Sequence, residues 1–302
     1  MSVIQAIVPV AGLGTRMLPL SQAVPKELLP LGSKPTLHWV AEELGRAGVR
    51  HVSLVTSEAK RNIGRYFETN SEIVSRIKNK PELAAKLWCN SDWNSMQFQT
   101  VIQAEQLGLG HAVLCGRDGL RPGPFVLALG DCVMGLGGES STTARIVDVF
   151  TSNNADAVIA FQKVPVDLVS RYGIATLGAE LDLGEAGRVA FHLQGIVEKP
   201  HRDCAPSQFA VSARYVFSDS IFPILEQARK DSSGEVQLTS AIQHLIEQGG
   251  KVIGVTLLEG EERFDVGDYD SWAAGFIRFA MHENPALSKL SRETGQPGAN
   301  QA

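Results

Sequence analysis

The sequence predicts an α/β fold built on a doubly wound, mixed but mostly parallel sheet. Two observations carry that expectation. Through the first half of the chain, short apolar runs alternate with stretches of helical period, the pattern of strands joined by crossover helices. Two segments with chemical potential, residues 12–16 and Asp131, directly follow such runs. Open α/β sheets hold their ligands beyond the carboxyl ends of their strands.

The elements follow in chain order. Residues 3–11 read as a buried strand, and residues 36–47 as a helix with Leu37, Val40, Ala41 and Leu44 on one face. Gly45 and Gly48 mark its end. Residues 51–56 read as a strand and 58–67 as a helix. Pro81 interrupts a polar helical region over 71–88. Residues 98–104 and 125–129 are further strands, with a helix from His111 between them. The second half is more mixed. Residues 157–163, 173–177, 189–197 and 209–216 are strand-like, 218–229 and 235–248 helical, 251–258 a last strand and 270–282 a final helix. No clean linker is visible. The chain reads as one domain over residues 1–287, with halves 1–135 and 136–287. Residues 288–302 are polar, contain Gly and Pro, and read as a mobile tail.

Composition narrows the function. A chain of 302 residues can bury a large core. Its net charge of −5 points to neither a nucleic-acid nor a membrane surface. Cys89, Cys115, Cys132 and Cys204 are scattered without a Cys-x-x-Cys pair, so they read as reduced thiols of a cytoplasmic protein. The N-terminal apolar run is too short for a signal peptide or a membrane span.

The most informative stretch is Val8-Pro9-Val10-Ala11-Gly12-Leu13-Gly14-Thr15-Arg16, followed by Pro25-Lys26-Glu27. Two glycines one residue apart let the backbone turn tightly and approach a ligand. Such a turn can aim successive N–H groups at one anion, and Arg16 and Lys26 add positive charge. The Rossmann fingerprint needs a third glycine where this chain has Met17, and no Gly-Lys-Ser/Thr follows to make a P-loop. A nicotinamide dehydrogenase is therefore disfavoured, and a nucleoside triphosphate held by a different phosphate loop is favoured.

This block resembles the signature of the sugar-nucleotide pyrophosphorylases, a nucleotidyltransferase family, and most closely its branch that uses UTP and glucose 1-phosphate. The resemblance continues at Gly108-Leu109-Gly110-His111, Val197-Glu198-Lys199-Pro200, Gly234-Glu235-Val236-Gln237-Leu238-Thr239 and Phe264-Asp265-Val266-Gly267. It implies a Rossmann-like sheet of the nucleotide-diphospho-sugar transferase type. The first half would hold the nucleotide, and the second would be a sugar-binding extension of the same sheet.

The resemblance also implies roles. Arg16, Lys26 and Lys199 would be the catalytic cations. Ala11, Gly12, Gly14 and Thr15 would hold the nucleotide, with Gln103 and Gly108 at its base. Gly173, Glu198, Lys199 and Tyr215 would face the sugar, and Asp131 and Asp265 would bind Mg²⁺. The residues alone leave alternatives open. On spacing, Asp131 is equally a metal carboxylate or a turn residue, and the pairing with Asp265 rests on resemblance. Gln103 also reads as a solvated strand-end residue, Tyr215 as core, and His111 as a helix-start residue. Asp268 reads as the N-cap of the final helix. Glu198 and Lys199, adjacent on a strand, are expected on opposite faces. Two departures stand out: Gly130 where the family usually has Pro, and Ser240 where it usually has Asp.

The expected activity is transfer of the uridylyl group of UTP to glucose 1-phosphate, by a homodimer or homotetramer. The alternatives are a sister enzyme using dTTP or another sugar phosphate, or a catalytically weak regulatory paralogue. Retention of Arg16, Lys26, Asp131, Lys199 and Asp265 argues against the last.

Overall fold

The computed structural model describes residues 3–88, 93–182 and 189–287. Cys89 and the expected tail, 288–302, lie outside the described residues. Strands β1 (Gln5–Pro9), β2 (Pro30–Leu31), β3 (Lys34–Pro35), β4 (His51–Thr56), β5 (Gln97–Ile102), β6 (Phe125–Ala128) and β7 (Cys132–Met134) belong to the first half. Strands β8 (Ala157–Lys163), β9 (Gly173–Leu181), β10 (Ala190–Glu198), β11 (Phe209–Phe217), β12 (Val252–Thr256) and β13 (Arg263–Asp265) follow.

Nine of them form one sheet in the order β5-β4-β1-β6-β11-β8-β12-β10-β9. The first four are mutually parallel. Only β10 and β11 run against the remaining seven, so the mixed, mostly parallel sheet stands as expected. The far half curls: β9 pairs with β10 along its length and also touches β11, where Ile174 faces Ala210.

Alternation along the strands builds two cores. Ala6 and Val8, Val126 and Ala128, and Val158 and Ala160 pack on one face. Ile7, Phe125, Leu127, Ala157 and Ile159 pack on the other. Adjacent strand residues point to opposite faces, so a strand buried on both sides needs an unbroken apolar run. That is why these segments read so clearly as strands.

Helices cover both faces. Thr36–Arg46 buries Leu37, Val40, Ala41 and Leu44 as expected. The stretch Glu58–Phe67 is 3-10 rather than α-helix and is kinked at Lys60. The helix expected from His111 begins earlier, as Leu109–Gly116. The helix Thr142–Asn153 goes unpredicted by the sequence. Its Thr, Ile and Val residues are poor intrinsic helix formers, and burial of Ile146, Val147, Val149 and Phe150 against the sheet stabilises it.

Candidate active site

The loop after β1 leaves the carboxyl end of the parallel half. Gly14 sits in the left-handed region at φ 67°, which glycine adopts without steric penalty. The Ser21 hydroxyl donates to the Gly14 carbonyl at 2.8 Å. Among the described residues, none of the backbone N–H groups of residues 11–15 donates within the protein. The loop carrying Ala11, Gly12, Gly14 and Thr15 therefore presents a run of open donors.

Beyond β6 the chain passes β1 closely: a Cβ on Gly130 would lie 2.6 Å from Val10 Cγ1. Asp131 follows. Strands β7 and β13 form a separate antiparallel ladder in which Asp265 pairs with Cys132, and the Val266 N–H donates to the Asp131 carbonyl at 2.9 Å. This register makes neighbours of two carboxylates that no spacing argument could connect.

The charges there are strongly coupled. Lys26 donates to Asp131. Burial works against the Lys26 ammonium, yet Asp131, then Glu27 and Asp265, raise it above the ordinary lysine value. Burial pushes Asp131 up, but the charge and hydrogen bond of Lys26 outweigh it and hold Asp131 low. Asp265 is raised, by burial first and then by Asp131, despite Arg263, Lys26 and Arg16 nearby. The two half-buried carboxylates are thus pushed apart in proton affinity, with Lys26, Arg263 and Arg16 around them. Among the described residues, no group of three or more His, Cys, Asp or Glu could hold a metal ion. Two carboxylates are the kind of hard oxygen donors that Mg²⁺ takes alongside water and substrate phosphates.

A cavity of about 580 Å³ opens beside this pair. Arg16, Asp131 and Asp265 line it together with Gly173, Glu198, Lys199 and Tyr215, whereas Ala11, Gly12, Gly14, Thr15 and Lys26 do not. Glu198 and Lys199 thus share the cavity, contrary to the opposite-face expectation. Lys199 has left the strand: its φ is +43°, and its N–H donates to the Tyr172 carbonyl at 3.0 Å. Its Nζ lies 3.3 Å from Glu198 Oε1. Thr239 donates to Glu198 Oε2 at 3.1 Å. A Cβ on Gly173 would lie 2.9 Å from Thr239 Cγ2. Tyr215 is core and cavity wall at once, packed in the second core with one edge on the cavity.

Gln103 is not the solvated residue that its position at a strand end allows. It is buried, and its amide donates to the Gly108 carbonyl at 3.3 Å and bonds His111 Nδ1 at 3.0 Å. Neither Gln103 nor Gly108 lines the cavity. Gly108 has φ +93°, and a Cβ there would meet the Val236 carbonyl at 2.9 Å, so its own fold already requires glycine. His111 lies within the helix Leu109–Gly116. Asp268 is an N-cap as expected, accepting from the Ser271 N–H at 3.0 Å. Ser240 is exposed in the first turn of Leu238–Glu247 and does not line the cavity.

Several residues escaped the sequence reading. Arg263 is half-buried, lies over the Tyr172 ring at 4.5 Å and donates to the Val211 carbonyl at 2.9 Å. Its place beside the Phe264-Asp265 motif was the available signal. Arg214 is fully buried and bonds both oxygens of Glu43, at 3.0 and 2.7 Å, and the Cys132 carbonyl at 2.8 Å. It follows Ala213, which is held at φ +57° in a bulge of β11. Lys60 pairs with Glu27 at 2.9 Å. No local pattern marks Arg214 or Lys60, because each partner lies far away in sequence.

Comparison with known proteins bears on the family and the fold. The nucleotidyl transferase family model matches residues 5–278. A UTP–glucose-1-phosphate uridylyltransferase of Bacillus subtilis (strain 168) is 35% identical over 288 residues, 95% of this chain and 94% of that protein. A UTP-bound UGPase from Acinetobacter baumannii superposes with a TM-score of 0.82 at 30% identity, covering 97% of this chain and 98% of that one. A UDP-glucose pyrophosphorylase complexed with UDP-glucose superposes with a TM-score of 0.77 at 26% identity, covering 95% and 99%.

Proposed function

The chain belongs to the nucleotidyl transferase family, and we propose that it transfers the uridylyl group of UTP to glucose 1-phosphate, forming UDP-glucose and pyrophosphate. The observation that carries this reading is that one cavity is lined both by Arg16 with the Asp131–Asp265 pair and by Glu198 with Lys199. Its volume is in the range of small-ligand sites. The relatives named for UTP, glucose 1-phosphate and UDP-glucose support the choice of nucleotide and sugar.

In this reading a phosphate oxygen of glucose 1-phosphate forms a bond to the α-phosphorus of UTP as the bond to the pyrophosphate oxygen breaks. The attacking phosphate is already ionised, so no protein base is needed. The protein's part is positioning and charge neutralisation. The amides of residues 11–15 and Arg16 hold the triphosphate. Lys26, now on Asp131, offers its ammonium to the leaving pyrophosphate. Lys199 holds the sugar phosphate and offsets the repulsion between two anions, while Glu198, oriented by Thr239, accepts from sugar hydroxyls. Asp131 and Asp265 would hold Mg²⁺, which when bound neutralises phosphate charge. In this reading Gln103 and Gly108 read the base, with the Gln103 amide exchanging its bonds to Gly108 and His111.

The three cysteines among the described residues are free thiols, which supports a cytoplasmic setting. No helix among the described residues is long and apolar enough to cross a membrane. Assembly as a homodimer or homotetramer belongs to the same reading, and light scattering on the purified protein tests it.

The reaction is tested by pyrophosphate release with Mg²⁺ and glucose 1-phosphate, comparing UTP with dTTP, CTP, ATP and GTP. Release fastest with UTP is expected. Preference for dTTP would move the chain to a sister activity, and no release with any nucleotide would overturn the reading.

A further inference from the structure

We propose that Lys60 is a positioning residue for the nucleotide: clamped by Glu27, its ammonium turns two peptide units of the phosphate loop so that their N–H groups face away from it, toward a triphosphate. The inference rests on the nucleotide reading of the loop given above.

In a planar trans peptide unit, the carbonyl of one residue and the N–H of the next point in opposite directions. Lys60 Nζ donates to the Val10 carbonyl at 3.2 Å and to the Gly12 carbonyl. The N–H groups of Ala11 and Leu13 belong to those same two peptide units, so they point away from the ammonium. Among the described residues, neither donates within the protein. A flip of either unit would turn a carbonyl oxygen to the side that now carries a donor. That replaces attraction for an anion with repulsion. Gly12, which has no Cβ, offers little steric resistance to a flip, and no atom of the described residues lies within 4 Å of where one would stand.

Lys60 is itself held. Glu27 is 1% exposed, and its two oxygens lie 2.9 and 3.2 Å from Lys60 Nζ. A buried carboxylate needs such a partner, because removing one member of a buried pair strands the other charge. The main chain of Lys60 is fixed as well. Its N–H donates to the Ser57 carbonyl at 3.0 Å, and its carbonyl accepts from the Thr56 hydroxyl at 3.1 Å. The kink at Lys60 (φ −111°, ψ 17°) interrupts the 3-10 stretch there. The adjacent pair Lys26 and Glu27 therefore serves two ends of the site. Lys26 reaches Asp131, and Glu27 reaches across to Lys60.

The test uses the full-length protein and three variants, Lys60→Met, Lys60→Arg and Glu27→Gln. UTP binding is measured by titration calorimetry, KM for UTP and for glucose 1-phosphate by pyrophosphate release, and folding by circular dichroism. Lys60→Met is expected to weaken UTP binding and raise KM for UTP by about tenfold or more, a loss of about 1.4 kcal/mol, while KM for glucose 1-phosphate stays within about twofold. Lys60→Arg, which keeps the charge, is expected to restore part of the UTP affinity. If Lys60→Met does not fold, Glu27→Gln carries the test, with UTP affinity reduced at least threefold, the sugar-phosphate KM unchanged, and Lys60→Arg closer to wild type. UTP affinity within twofold of wild type in folded Lys60→Met or Glu27→Gln overturns the inference, as does an equal rise in both KM values. Failure of the wild-type protein to bind UTP overturns the nucleotide reading and this inference with it, and is told apart by that control.

Discussion

Two sets of lysines, a phosphate wall behind the cavity lining and a sugar wall within it, carry their positive charge in opposite ways. On the phosphate side, the Lys26 and Lys60 side chains are 13% and 10% exposed, and each is bonded to a carboxylate, Asp131 or Glu27. On the sugar side, Lys199 is 57% exposed and faces Glu198 at 3.3 Å. The first wall stands at the ends of buried parallel strands, where a charge must be paired to be tolerated. The second rides on the open end of the β9–β10 hairpin, where water does part of that work. The difference teaches that function and stability are coupled on the phosphate wall and separable on the sugar wall.

The largest expected effect tests the coupled side. Lys26→Ala should lower kcat by roughly 10²–10³-fold and also destabilise the fold, by up to about 3–5 kcal/mol, because Asp131 is left buried without its cation. Kinetics and urea unfolding on one preparation check both parts. A wild-type unfolding midpoint would break the comparison.

Lys199→Ala should cost about as much activity, roughly 10²–10³-fold, yet shift stability by no more than about 0.5 kcal/mol. An unfolding midpoint that falls as far as that of Lys26→Ala would show the two walls to be alike.

Asp265→Asn sharpens the contrast by separating the two properties with opposite signs. Burial and Asp131 raise the Asp265 pKa, so the folded protein holds that proton more tightly than the unfolded chain does. The associated stability is fully present below the ordinary aspartate range and is lost as pH rises through the raised value. At neutral pH the ionised carboxylate therefore opposes folding when no cation is bound. The amide variant should be inactive but melt at a higher temperature in metal-free buffer. A lower melting temperature would contradict the electrostatic account of the pair.

The smallest effect lies outside both walls. Ser240 occupies the first turn of Leu238–Glu247, which has no acidic residue there. Ser240→Asp should stabilise by about 0.3–1 kcal/mol through the helix dipole and leave KM for glucose 1-phosphate unchanged. A changed sugar KM would bring this position into the sugar wall.

Much of this molecule is local in origin, and that part was legible in the chain. The strands over 51–56 and 157–163 lie where their apolar runs predicted them, because burial on both faces demands such runs. The phosphate loop was legible because a tight turn after a buried strand needs glycine at a fixed offset. The family blocks carried Asp265 and Glu198-Lys199. The helix Thr142–Asn153 was not legible, since packing against the sheet overrides the weak propensity of its β-branched residues.

By itself, the sequence determined the α/β class, the run of strands in the first half, the loop at residues 11–16 and the charged residues available for chemistry. Each depends on spacing within about a dozen neighbouring residues. Only the tertiary structure decided which of these residues meet. The β7–β13 ladder brings Asp265 to Asp131. The left-handed turn at Lys199 brings Glu198 and Lys199 into one cavity. The fold gives Glu27 to Lys60 and Glu43 to Arg214. The physical reason is common to all four. Electrostatic pairing and burial act through space, so their energy belongs to the packed arrangement and leaves no period or spacing along the chain.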